Sequence, residues 1–141
     1  MAPTSFASSL IRSLDLQPHP EGGWYRQTWA AAETVTLPDG RVRPTATLIY
    51  FLLPAGDSSA WHRVASDEMW LAHHGSVTLE LGGVGPEPVL EATAVVDAVS
   101  PQALVAAGTW QRTVPADGDA LVSCLVSPGF HFDDFELADG E

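Results

Sequence analysis

Between residues 4 and 17, Phe6, Leu10, Ile11 and Leu14 recur at helical spacing. Thr4 or Ser5 stands where a cap is needed, and Pro18 and Pro20 end the run, so the pattern predicts one short helix near the start. Beyond Pro20 the helical period disappears. Short segments rich in Val, Thr, Leu, Trp and Tyr follow, separated by turn signals: PDG at 38–40, PAGD at 54–57, HHG at 73–75, GGVGPEP at 82–88 and ADGD at 116–119. Strands are expected over 23–30, 44–53, 59–64, 67–73, 76–82, 89–97, 103–106, 109–114 and 120–127. Many short strands at such spacing argue for an all-β sandwich or barrel. The last segment, PGFHFDDFELAD, carries Phe130, Phe132 and Phe135 and is expected to pack across the barrel or against a neighbouring subunit. No internal repeat, linker or low-complexity segment interrupts the chain.

The 141 residues amount to one domain, 1–141, and a hydrophobic fraction of 45% with 17% charged residues is that of a globular protein. No apolar run approaches the roughly 20 residues of a membrane helix. The N-terminal stretch lacks a basic leader followed by an apolar block, so no secretory signal is expected. Cys124, the single cysteine, excludes an internal disulfide and fits a reducing interior. A cytoplasmic location follows as the expectation. All six basic residues are arginines, and the net charge is −12. So acidic a surface repels phosphate backbones and anionic membranes, so neither nucleic acid nor membrane is an expected partner. The absence of lysine beside many Ala, Gly, Pro and Arg suggests a GC-rich bacterial genome.

Candidate chemistry concentrates in GDSSAWHRVASDEMWLAHHG, residues 56–75, which holds His62, His73 and His74 with Asp67 and Glu68 between them. Strand alternation puts His62 and Val64 on one face, opposite Trp61 and Arg63. On the next strand Glu68, Trp70, Ala72 and His74 share a face. A hairpin turning at 65–67 would let His62 and Glu68 converge, and Gln111 could join them from the strand bearing Thr109 and Thr113. Imidazole and carboxylate together suit either a metal or proton transfer.

These residues also carry a family resemblance. Gly56, five residues, His62, then Glu68, six residues, Gly75 resembles the first cupin motif, and AAGTWQ (106–111) stands where the second would lie. The segments PHPEGGWYRQTW (18–29), TLIYFLLP (47–54), WHRVASDEMW (61–70), LVSCLVSPGF (121–130) and FDDFEL (132–137) resemble the small single-domain cupins of unknown function marked by PHPEGG. The likeness spans about residues 8–138. It implies a double-stranded β-helix, or jelly roll, usually a homodimer, with a pocket at the barrel mouth.

The chain departs from the metal-binding pattern of that fold. Val64 stands where a second histidine would, and Gln111 where a third would. No cofactor is therefore expected. A divalent iron, zinc or manganese ion, if bound, would be left with His62, Glu68 and Gln111. The expected chemistry is metal-free: His62 as base, Glu68 orienting it, and Tyr50 or Tyr25 acting opposite, by analogy with metal-free cupin epimerases. Tyr25, Arg26, Trp70 and Gln111 are the expected ligand-binding residues, Arg26 holding a carboxylate or phosphate.

Blander roles stand beside these. His62 can be a satisfied core histidine, Glu68 can pair with Arg63 or Arg26, and Arg26 with another acid. His73 and His74 precede a turn glycine and are expected to face solvent. Trp70 can pack rather than stack on a ligand. Gly22 and Gly23 serve backbone geometry, and Cys124 reads as core. The expected function is binding of a small polar organic molecule, sugar-like or a carboxylate or carbonyl compound, by an isomerase-, epimerase- or lyase-like enzyme. A non-catalytic ligand-binding cupin and a metal-dependent oxygenase or isomerase are the alternatives.

Overall fold

The first helix forms where the sequence supplies a cap. In the computed structural model, which describes residues 3–139, the Thr4 hydroxyl accepts from the Ala7 N–H at 3.0 Å and starts α1 (Ser5–Ser13). The outermost residues of the expected 1–141 domain, 1–2 and 140–141, lie outside the described residues. Ala7, Leu10, Ile11 and Leu14 pack on Trp24, Tyr50, Leu52 and Leu121, which belong to the outer side of a sheet. Among the described residues, no helix is long and apolar enough to cross a membrane.

The strands that follow are β1 (Gln17–Pro18), β2 (Trp24–Ala30), β3 (Thr34–Thr36), β4 (Val42–Pro44), β5 (Thr47–Leu53), β6 (His62–Val64) and β7 (Asp67–His74). Then come β8 (Val77–Leu81), β9 (Ala92–Val96), β10 (Gln102–Val105), β11 (Gln111–Thr113), β12 (Ala120–Ser127) and β13 (Phe135–Leu137). One sheet has the order β1-β2-β5-β12-β7-β10, and the facing sheet β13-β6-β11-β8-β9. Strands β3 and β4 form a separate hairpin around Pro38–Gly40. Every pairing between strands is antiparallel, and the two sheets close on one another as the double-stranded β-helix.

Side-chain alternation builds the interior. Phe51 and Leu53 of β5, Trp70 of β7, Val77 and Leu79 of β8, Val96 of β9, and Val122 and Cys124 of β12 all turn inward and form one cluster. Each fully buried aliphatic or aromatic side chain contributes about 1.5–3 kcal/mol relative to exposure. The opposite phase of β5 and β12 supplies the outer patch that α1 covers. One helix thus seals the face that alternation leaves apolar.

The nine expected strands all contain observed strand, with two differences of consequence. The stretch 44–53 divides, because β4 ends at Pro44 and β5 starts at Thr47. More important, 65–67 does not fold β6 and β7 into a hairpin. The two strands belong to different sheets, and the chain crosses the barrel between them. Strands β1, β3 and β13 are two or three residues long, too short for any periodicity to register. The C-terminal segment packs across its own barrel: β13 pairs with β6, placing Phe135 opposite Val64.

Leu79 is fully buried and Leu104 is 56% exposed. Chemical denaturation should therefore show a loss of about 2–5 kcal/mol for Leu79→Ala and under about 0.5 kcal/mol for Leu104→Ala.

Candidate functional site

The site starts in a loop, Pro18–Gly23, held in shape by its own backbone. His19 N–H donates to the Gly23 carbonyl at 2.9 Å, and Gly22 N–H to the His19 carbonyl at 3.0 Å. The Glu21 N–H donates to His19 Nδ1 at 3.1 Å, while the Glu21 carbonyl accepts from Ala60 N–H at 2.7 Å. Gly22 and Gly23 have φ of 107° and 77°, the left-handed range that favours glycine. A Cβ at Gly22 would lie 2.3 Å from the Ser58 carbonyl oxygen, and one at Gly23 2.9 Å from the Phe51 ring. Both glycines are thus required by close approach, and the loop lies tightly against 58–60. The outcome is a fixed position for the Glu21 side chain.

That side chain meets His62. Glu21 Oε2 lies 2.6 Å from His62 Nε2, and His62 Nδ1 lies 2.8 Å from the Ala60 carbonyl oxygen. A carbonyl only accepts, so Nδ1 carries a proton. Glu21 Oε2 is fully buried, and its contact with His62 Nε2 is an ion pair outside regular hydrogen-bond geometry, with no hydrogen-bonding partner among the described residues. The short contact is satisfied only if a proton also lies between Nε2 and Oε2. Burial works against a charged His62, but the charge and hydrogen bond of Glu21, the charge of Glu68 and the Ala60 carbonyl outweigh it. The His62 pKa is raised to about 9, and the ring is an imidazolium at neutral pH. Phe135 stacks on it at 5.6 Å between centroids.

Across the interior, Glu68 enters from β7. Gln111 Nε2 donates to Glu68 Oε1 at 2.8 Å, and Trp70 Nε1 donates to Gln111 Oε1 at 3.0 Å. An indole N–H can only donate, so Trp70 fixes which end of the Gln111 amide faces Glu68. Burial raises the Glu68 pKa and the Glu21 charge adds to this. His62, Gln111 and the Cys124 thiol pull the other way without cancelling the rise. Burial and the nearby Glu68 carboxyl also push the Cys124 thiol well up, which keeps it a neutral core group. His19, whose pKa burial lowers, accepts at Nδ1 from Glu21 N–H and so bears its ring proton on Nε2.

A cavity of about 320 Å³ opens over His19, Glu21, His62 and Glu68. Its walls are largely apolar, formed by Tyr25, Ile49, Val126, Phe130, Phe132 and Phe135, with His131 among them.

The structure brings His62, Glu68 and Tyr25 to this cavity. Gln111 and Trp70 are buried beneath it and reach it through Glu68 rather than by lining it. Tyr50 and Arg26 require correction. They pair with each other in the β2–β5 register, on the outward phase of both strands, while Tyr25, Gln27 and Ile49 point inward. Tyr50 packs in the patch beneath α1, and Arg26 Nη1 donates to the Leu14 carbonyl at 3.3 Å. Neither can act on a ligand in the cavity. Glu68 pairs with neither Arg63 nor Arg26, since Arg63 binds Glu136 at 2.9 Å. His73 and His74 are exposed at the strand end; His73 Nε2 contacts Ser123 Oγ at 2.6 Å and His74 packs near Phe6.

Sequence reasoning gave no role to His19 or to the Glu21 carboxylate. Its one signal was PHPEGG itself, an acid placed before two glycines in a segment with no strand period.

The donor set does not fit a metal ion. Both His62 nitrogens are engaged, Val64 offers no donor, and each end of the Gln111 amide has a partner. Among the described residues, no three His, Cys, Asp or Glu side chains form a group that could hold a metal.

Two facing sheets with a cavity at the barrel mouth define a cupin. Residues 8–138 match the family described as Cupin superfamily (DUF985), and the chain belongs to that family. A protein from Shewanella oneidensis is similar in structure at a TM-score of 0.77 and 39% identity, over 97% of this chain and 85% of the other. A hypothetical protein from Leishmania major is similar at 0.77 and 35%, over 92% and 85%. The DMSP lyase DddQ from Ruegeria pomeroyi shares the fold at 0.57 and 14%, over 82% and 63%. No curated protein matches the chain.

Two predictions follow from the geometry. Protonated His62 should stabilise the fold fully below its unfolded pKa of about 6.5, and lose that contribution as pH rises through about 9. In Glu21→Gln burial should dominate and lower the His62 pKa, so denaturation midpoints should then fall towards acid pH rather than towards alkaline pH. Separately, Gly22→Ala should cost more than about 1–3 kcal/mol in the same assay, because strain adds to a backbone clash.

Proposed function

We propose that this cupin binds a small organic molecule carrying a carbonyl or hydroxyl group and moves a proton on it, as an isomerase or lyase does, without a metal. The observation that carries the reading is the pair of carboxyl groups facing one cavity in different surroundings. Glu21 is held against an imidazolium, while Glu68 is buried, pushed towards its protonated form and fixed by Gln111. Environments that separate two carboxyl groups in this way assign one to the base role and the other to the acid role.

His62 was expected to be the base, but with a proton on each nitrogen it has no lone pair to offer. Glu21 takes that role. Its carboxylate removes a proton from the carbon next to a substrate carbonyl, and the electron pair of the broken C–H bond moves to form the enol C=C bond. The Glu68 proton passes to the carbonyl oxygen as charge develops there. In a ketone with a carbon–carbon double bond one position further on, the enol is a conjugated dienol; return of the Glu21 proton to its far carbon, with the enol proton going back to Glu68 and the carbonyl reforming, completes an isomerisation. His62 stabilises the Glu21 carboxylate before transfer, and Phe135 over its ring helps exclude water. Trp70 and Gln111 are positioning residues, acting through Glu68.

Incubation with small ketones and hydroxyketones in deuterated water tests the reading. Deuterium should enter the carbon beside the carbonyl, and Glu21→Gln and Glu68→Gln should each slow entry by about 10²–10⁴-fold. Exchange that persists unchanged in both variants contradicts it. Ligand binding without any exchange favours a non-catalytic binding cupin instead.

A further inference from the structure

The charge inventory of the chain restricts what the cavity can hold. All cationic side chains other than histidine are six arginines, since lysine is absent. Arg26 is tied to the Leu14 carbonyl, Arg41 and Arg43 to Asp134, Arg63 to Glu136 and Arg112 to Glu80. Arg12 lies in the last turn of α1, outside the barrel. No arginine lines the cavity; His19 and His131 do, and each accepts a backbone N–H at Nδ1, from Glu21 and Asp133 respectively, so neither ring carries a second proton in that arrangement. The charge of His62 is already matched by Glu21 at 2.6 Å. An anionic ligand would thus be desolvated beside two carboxyl groups with no free cation to meet it, in a protein of net charge −12.

Three phenylalanines line the cavity beside these polar groups. Phe130, Phe132 and Phe135 contact one another with centroids 4.9, 6.2 and 5.9 Å apart. This cluster is anchored rather than loose. Phe130 N–H donates to Thr47 Oγ1 at 2.9 Å, β13 pairs with β6, and Arg43 holds Asp134 at 2.8 Å. A fixed apolar wall beside a small polar floor, with Phe135 stacked on His62, selects a molecule with one apolar part and one polar part.

We propose that the ligand is uncharged, with an aromatic or branched apolar group seated against Phe130, Phe132 and Phe135 and one hydroxyl or carbonyl facing Glu68. This rests on the proton-transfer reading for the choice of polar end, and it replaces the sugar or carboxylate expected from sequence. A free sugar would place several hydroxyls against phenylalanine, and a carboxylate would lack a cation. Burial pushes Glu68 towards its protonated form, which suits a donor to a carbonyl oxygen and lessens the local charge that would draw in a cation.

Three probes of nearly one shape separate the charge classes: 2-phenylethanol, phenylacetate and phenethylammonium, titrated into the full chain by calorimetry. The alcohol should bind about tenfold or more tightly than either ion, because only the ions leave a buried charge unpaired. Phe132→Ala should weaken the alcohol about tenfold, through lost apolar contact. Gln27 lines the cavity yet is exposed, so Gln27→Arg adds a cation without burying it; phenylacetate should then bind at least as well as the alcohol. Either ion matching the alcohol on the unmodified chain, no binding of any probe at millimolar concentration, or no gain for phenylacetate in Gln27→Arg would overturn the proposal. Binding needs no turnover, so the predicted ranking without deuterium exchange would sink the catalytic reading and leave this one standing.

Discussion

The structure of the site depends on one buried contact, His62 Nε2 to Glu21 Oε2 at 2.6 Å. Burying a charged imidazole or carboxylate alone costs several kcal/mol, so each is tolerable only in the presence of the other. The rest of the neighbourhood follows from keeping them together. The Ala60 carbonyl fixes the far side of the imidazole, and the Ala60 N–H holds the Glu21 backbone, so one residue aligns both partners. Gly22 and Gly23 let the loop lie against Ser58 and Phe51 closely enough for Glu21 to reach. The glycine pair is therefore a condition for the charge pair.

The same constraint accounts for the departures from a metal-binding cupin. Where a metal would draw on a histidine lone pair, His62 has both nitrogens committed. Where a third histidine would sit, Gln111 bridges Trp70 to Glu68 with a defined amide orientation. Val64 faces the cavity as part of its apolar lining. These substitutions are mutually consistent: a ligand set has been exchanged for a network of protons whose positions are fixed by donors and acceptors of known sense.

Much of this was legible in the sequence, and the misses have identifiable causes. Alternation put His62 and Val64 on one face, the family resemblance pointed that face and Glu68 at a pocket, and the helix cap and apolar spacing located α1. Alternation cannot say which phase of a strand faces in, and that is why Tyr50 and Arg26 were assigned to the pocket; their pairing across β2 and β5 puts both outside. The crossing of the chain between β6 and β7 was taken for a hairpin because so short a connection satisfies either path; His62 and Glu68 instead face one cavity from different sheets. Glu21 escaped because it lies in a loop, where no period reports direction, and its partner is forty-one positions away in the chain. Long-range contact made by a short loop leaves only its glycines as a trace.

The contacts of His62, with Glu21 at one nitrogen and the Ala60 carbonyl at the other, call for a proton on each in the folded protein near neutral pH. Nitrogen-15 NMR of histidine-labelled protein reads this directly, since protonated and unprotonated ring nitrogens resonate far apart. At pH 7 both His62 nitrogens should show the protonated signature, and this should persist until the pH approaches about 9. A His62 signal with one bare nitrogen at pH 7 would contradict it.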